Sequence, residues 1–118
     1  MTWEDVVSFA RTLPQVEEST WYGTAALKVA GKGFARLRGE ADGGVVLFCS
    51  TEEKRALLAS DDPAYYTTPH YDGYDAVLVN LESVDSDELR ELVTESWRRK
   101  ASVRARKELD ARSGEAGL

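Results

Sequence analysis

Histidine, cysteine and methionine occur once each in this chain of 118 residues, and proline three times. With Cys49 alone, no intramolecular disulfide and no cysteine-based zinc site can form. Inside the apolar run Val45-Val46-Leu47-Phe48-Cys49 it reads as a small buried hydrophobe. His70 is the only residue on which a histidine-dependent triad could be built, and no serine lies in a Gly-x-Ser-x-Gly elbow. A metal site would need His70 with Asp72 or Asp75, too few ligands of distinctive spacing. The Gly31-Lys32-Gly33 string falls between two strand-like segments, so it is not a phosphate loop, which joins a strand to a helix. The acid pairs Glu17-Glu18, Glu52-Glu53 and Asp61-Asp62 are adjacent and therefore diverge, as caps, turns or solvated residues do. No apolar run approaches the ~20 residues of a membrane span. The opening Met1-Thr2-Trp3-Glu4-Asp5 lacks the basic and apolar regions of a secretion signal. The sequence is thus expected to be a non-enzyme with no cofactor, no metal and no membrane association, in the cytoplasm.

What is present fits one soluble domain. The hydrophobic fraction is 42% and the charged fraction 31%, and folding at this length buries roughly 65% of the extended chain's surface. Charge is unevenly placed. Residues 98–112 hold seven bases against two acids, +5, while residues 1–97 hold eight bases against eighteen acids, in a chain of net −6. An acidic body with a cationic tail could touch a polyanion locally, although its net field would repel one at long range.

Periodicity orders the elements. Thr2 caps a first helix with Asp5 as its capping-box acid, and Trp3, Val6, Val7, Ala10 and Leu13 form its apolar stripe until Pro14 stops it. Strands are expected near 20–22, 25–30, 34–38 and 45–49. Ser50 or Thr51 opens a short helix to Ala59. An aromatic, acidic connector over 61–75 leads to a strand at 76–81. A last helix starts near Asp85, with Glu88 completing its capping box.

With Gly31-Lys32-Gly33 as the loop of the central hairpin, Leu27 would face Leu37, Val29 would face Ala35 and Lys28 would face Arg36. That register makes an exposed strip of Lys28, Arg36 and Arg38 with Lys32 at the tip, which wants either a neighbouring acid or an anionic ligand. In the last helix the apolar stripe holds through Trp97, with Ala101 a weak extension, and Val103 and Leu109 fall off it. The 98–112 stretch is therefore expected to project or fray as a basic helix.

These elements and several strings resemble the MmcQ/YjbR-like family along roughly residues 3–107. The strings are Leu13-Pro14-Gln15-Val16-Glu17-Glu18, Tyr22-Gly23-Thr24, the run from Leu27 to Leu37, Thr68-Pro69-His70-Tyr71-Asp72-Gly73-Tyr74, Val77-Leu78-Val79, Asp87-Glu88-Leu89-Arg90-Glu91-Leu92 and Ser96-Trp97. The resemblance implies a two-layer α+β fold, an antiparallel sheet with helices packed on it, akin to type III secretion chaperones. It also implies a DNA-binding "double wing" role. Where many relatives carry a large apolar residue after the Tyr74 region, this chain has Asp75-Ala76, which would make a groove lined there more acidic.

Two binding surfaces remain open. A nucleic-acid surface would use Lys28, Lys32, Arg36 and Arg38 with Arg98, Arg99, Lys100 and Arg104, bind weakly and depend on salt. Against it stands a sequence pI near 4.8. A protein- or small-ligand groove would use Tyr66, His70, Tyr71 and Tyr74 of the connector with Trp21 and Tyr22. The bland alternative is a connector pinned over the sheet. A monomer is expected in either case.

Overall fold

Thr2 caps the first helix, α1 (Trp3–Ala10), by the capping box expected: its hydroxyl accepts from the Asp5 amide, and the Asp5 carboxylate accepts from the Thr2 amide at 2.9 Å. The computed structural model describes residues 1–38 and 44–116, with side chains as far as 112. Four strands follow α1: β1 (Val16–Trp21), β2 (Thr24–Val29), β3 (Lys32–Leu37) and β4 (Gly44–Phe48). After α2 (Thr51–Ala59) come the two-residue β5 (Tyr65–Tyr66) and then β6 (Ala76–Asn80). Two helices close the chain, α3 (Ser86–Lys100) and α4 (Val103–Ala116). The strands form one antiparallel sheet in the order β1-β2-β3-β4-β6-β5. This is an α+β fold of an open sheet plus four helices.

Both tight hairpins turn on two residues. Tyr22 and Gly23 have φ of 54° and 76°, and Ala30 and Gly31 have 52° and 76°. Paired positive φ values mark turns whose twist matches that of the flanking strands, and glycine supplies one of them without strain.

The central hairpin departs from the sequence-based register. Its loop is Ala30-Gly31, Val29 pairs with Lys32 and Lys28 with Gly33, and then the register shifts so that Leu27 pairs with Ala35 and Ala26 with Arg36. Phe34 is the extra residue of a β-bulge. Phe34 and Ala35 both join the helix-covered core, which restores the apolar face that a regular two-residue hairpin would have inverted. The Lys28–Arg36 opposition therefore does not form. Lys28 lies across from Glu17 instead.

One sheet face is covered by helices. Leu27, Val29, Val45, Leu47, Val77 and Val79 meet Val6 and Ala10 of α1 and Leu89, Val93 and Trp97 of α3. The Trp97 indole donates to the Pro14 carbonyl at 3.1 Å. Ser96 sits fully buried where the bulge interrupts the ladder. Its hydroxyl donates to the Phe34 carbonyl and accepts from the Phe48 amide, satisfying both orphaned groups.

The C-terminal segment also differs from expectation. Ala101 is extended (φ −67°, ψ 150°), which ends α3, and the Ser102 hydroxyl accepts from the Ala105 amide to start a new helix. The phase of the apolar stripe resets there. Ala105 is fully buried and Leu109 packs on the core, while Arg112 donates to the Thr12 carbonyl at 3.0 Å. The basic tail packs as α4 and does not project.

Candidate functional site

The face of the sheet that no helix covers carries a row of register neighbours: Ala26, Arg36, Val46, Leu78 and Tyr66. Beside that row Phe48 pairs with Ala76. Strand alternation alone puts these residues here, because Leu27, Ala35, Val45, Leu47, Val77 and Val79 face the helices. Val46, Ala76 and Leu78 are buried, and Phe48, Tyr66 and Tyr71 pack against them as a small second core.

Two segments build walls on this floor. The β1–β2 hairpin places Trp21 and Tyr22 over it, with Trp21 stacked on Tyr22 at 5.6 Å and on Phe48 at 6.0 Å between ring centroids. Opposite in sequence, the connector after β5 brings His70, Tyr71 and Tyr74 together. His70 meets Tyr71 edge-on at 4.7 Å, and Tyr71 lies 6.1 Å from Tyr74. Such offset and edge contacts each contribute about 0.5–1.5 kcal/mol beyond the area they bury.

The connector is held by Lys54, which is 7% exposed. Its ammonium donates to the carbonyls of Tyr71 at 2.6 Å, Tyr74 at 2.7 Å and Asp72 at 3.3 Å. Asp75 accepts from the Thr51 hydroxyl at 2.7 Å and lies 3.7 Å from Arg99. These ties fix both ends of the aromatic turn to α2 and α3.

The pocket between the two walls, about 130 Å³, is lined by Trp21, Tyr22, Arg36, Val46, Phe48, His70, Tyr71, Tyr74 and Ala76. A wider groove of about 430 Å³ adjoins it, sharing Tyr22, Arg36, His70, Tyr71 and Tyr74 and adding Arg38 and Thr68. Among the described residues of the lining, Arg36 is the one with a formal charge. Its Nε donates to the Trp21 carbonyl (3.1 Å) and the Thr24 hydroxyl (3.0 Å), and its Nη1 to the Tyr71 hydroxyl (2.9 Å). The guanidinium also lies 5.3 Å from the Tyr22 ring centroid.

Of the residues proposed for a ligand groove, Trp21, Tyr22, His70, Tyr71 and Tyr74 line this pocket, and Tyr66 lies beneath it in the second core. Phe48, Val46 and Ala76 were missed. The signal for them was present, since a strand reading Val45-Val46-Leu47-Phe48 is apolar on both faces and one of those faces must meet something other than the helices. Asp75 points to Thr51 and Arg99 and does not line the pocket, whereas Ala76 does.

Three of the residues proposed for a nucleic-acid surface, Arg36, Arg38 and Lys100, lie at the pocket or its rim. Arg36 and Arg38 belong to the pocket and its groove. The Lys100 ammonium stands 4.3 Å over the Phe48 ring at the rim. Lys28 is half-buried and Lys32 exposed near the hairpin tip. Arg98 pairs with Asp110 at 3.0 Å and Arg99 with Asp75, while Arg104 is exposed on α4. Among the described residues no group of three or more His, Cys, Asp or Glu could hold a metal ion. Burial, and secondarily Glu53, push the Cys49 thiol up to about 11, so it stays protonated near neutral pH.

Comparisons with known proteins agree with this architecture. A solved structure of a Deinococcus radiodurans protein with a DUF419 domain superposes with a TM-score of 0.73, at 23% identity, over 92% of this chain and 88% of that one. Uncharacterized proteins of Mycobacterium tuberculosis and Mycobacterium bovis are 52% identical over 44 residues. Those 44 residues are 37% of this chain and 34% of each relative, so the match spans about a third of the relatives' length. The YjbR family model matches residues 11–99, and the chain belongs to the YjbR family.

Proposed function

We propose that this protein is a non-enzymatic binding domain whose ligand seats in the aromatic pocket on the open sheet face. One observation carries the reading: Trp21, Tyr22, Phe48, His70, Tyr71 and Tyr74, from three separate chain segments, converge on one cavity with a single arginine. Aromatic side chains supply large amphipathic contact area with little rotamer entropy to lose. A concave apolar site with few placed polar groups is the common form of a small-ligand site.

Nucleic-acid binding is the second reading, favoured by the exposed Lys32 and Arg104. It has less support here, because Arg98 and Arg99 are committed to Asp110 and Asp75 and the chain is net −6. Two-dimensional NMR titration separates the two. Small aromatic compounds should shift Trp21, Tyr71 and Tyr74 with weak salt dependence. A polyanion site demands instead that affinity for short single- or double-stranded DNA fall steeply with salt and vanish when Arg98, Arg99 and Lys100 become Ala. Resonances of Trp21, Tyr71 and Tyr74 that stay still while DNA shifts the α3–α4 arginines would overturn the pocket reading.

A further inference from the structure

We infer that the pocket's ligand is a free small molecule made of a single aromatic ring bearing a carboxylate or phosphate, with Arg36 as the group that reads the anion. The inference rests on the pocket being the binding site. It follows from size, wall chemistry and the lack of a counter-charge for Arg36 among the described residues.

Size limits the apolar part. An engineered apolar cavity of about 150 Å³ takes up benzene, and this pocket measures about 130 Å³. One ring fills that space, and a larger ring system would have to extend into the adjoining groove. Trp21, Phe48, Tyr71 and Tyr74 offer faces and edges that reward a flat ring over a puckered one.

Charge fixes the substituent. Arg36 is half-buried, and its three acceptors, the Trp21 carbonyl, the Thr24 hydroxyl and the Tyr71 hydroxyl, are all neutral. No carboxylate lies within ion-pair distance of it among the described residues, and its Nη2 makes no hydrogen bond there. Among the described residues, neither the pocket lining nor the groove lining contains an Asp or Glu. A partly desolvated guanidinium without a counter-ion is costly, and an anion bonded to its remaining donors removes that cost. The adjoining groove, with Arg38, Thr68 and His70, gives the anionic group a polar exit while the ring stays in the pocket. The competing account is that Arg36 only pins Trp21 and Tyr71 in place, and it predicts no preference for anions.

The test uses four probes on the whole chain, followed by NMR: phenyl phosphate, benzoate, benzyl alcohol and cyclohexanecarboxylate. The expected result is saturable shifts at Trp21, Tyr71 and Tyr74 for the first two. The neutral alcohol and the non-aromatic acid should bind at least about tenfold more weakly, the scale of one charge-assisted hydrogen bond. Arg36→Gln should erase the preference of phenyl phosphate over benzyl alcohol. Ala76→Leu, which fills the floor and leaves Arg36 untouched, should abolish both. If benzyl alcohol binds as tightly as phenyl phosphate at the same residues, the anion assignment falls and the pocket reading survives. If none of the four moves a pocket resonance, both fall. If a thymidine oligonucleotide binds there far more tightly than phenyl phosphate, with steep salt dependence, the free small molecule is the wrong occupant.

Discussion

Gly33→Ala tests how the pocket wall is built. A Cβ placed on Gly33 would lie 2.6 Å from Trp21 Cε3, 2.7 Å from Cζ3 and 3.3 Å from Cδ2. Ordinary carbon contacts begin near 3.4 Å, so the indole must retreat by about 1 Å and loosen its stacking on Phe48 and Tyr22. Overpacking of this kind costs about 1–3 kcal/mol, and the half-exposed Trp21, free to swing outward, places it at the lower end. Gly33 does not sit in left-handed backbone, so alanine also gains about 0.4–1 kcal/mol by restricting the unfolded chain. The net should be a loss of up to about 1 kcal/mol. In a Trp21→Ala background the clash disappears and only the gain remains, so the sign of the effect reverses. Urea unfolding of the four proteins in this cycle reads it directly. An equal destabilisation by Gly33→Ala in both backgrounds would show that the cost lies in the backbone or in other neighbours, and the account of Gly33 as the seat of Trp21 would be wrong.

Ser96→Ala should cost about 2–4 kcal/mol in urea unfolding, because it orphans both the Phe34 carbonyl and the Phe48 amide in the core; a loss below 1 kcal/mol would mean the bulge needs no bridge. Lys54→Met keeps the buried stem and removes three hydrogen bonds to the connector, so amides of residues 71–75 should exchange at least about tenfold faster while the sheet core is unaffected; unchanged exchange at those amides would refute Lys54 as their clamp. Tyr65→Phe should raise stability by about 1 kcal/mol, since the Tyr65 hydroxyl is buried without a hydrogen-bond partner among the described residues, the Glu88 carboxylate being near but outside bonding geometry. Burial lifts Tyr65 from its ordinary 10.0 to about 12, with Glu88 adding to the shift, and lifts Cys49 from 9.0 to about 11. Both raised values favour the protonated fold, so their stabilisation is complete below pH 9 and lost between about pH 9 and 12; Tyr65→Phe should flatten the decline above pH 10 in alkaline unfolding curves.

Local signals announced most of the fold. The capping box at Thr2, the cap at Asp85 and the apolar runs of β4 and β6 each act within a few residues, and those elements form where the signals place them, although α1 ends at Ala10 and does not run to Pro14. The β3 register did not emerge, because the bulge at Phe34 is stabilised by Ser96, which is 62 residues away in sequence. Strand β5 was invisible as a strand, since two residues carry no periodicity and Tyr65-Tyr66 pairs only because Val79 and Leu78 are there. The break before α4 was legible in principle: Ser102 offers a cap, and Ala101, Ala105 and Leu109 repeat at four-residue spacing once the helix restarts.

Charge shows most plainly what a linear reading misses. The basic 98–112 stretch draws the eye, and three of its arginines are paired: Arg98 and Arg112 with Asp110 and Glu108 of the same stretch, and Arg99 with Asp75 outside it. Arg36 reads in the sequence as one member of an exposed basic strip with Lys28 and Arg38. Alternation turns it to the open face, where its cross-strand neighbours Ala26 and Val46 are apolar, and the nearest oxygens belong to a carbonyl and two hydroxyls. Counting charge by segment finds the 98–112 run, three of whose arginines are held in ion pairs. Counting the acids within reach of each base among the described residues instead finds Arg36, and with it the pocket, because a cation kept half-buried beside aromatic rings is unfavourable unless an anion is supplied.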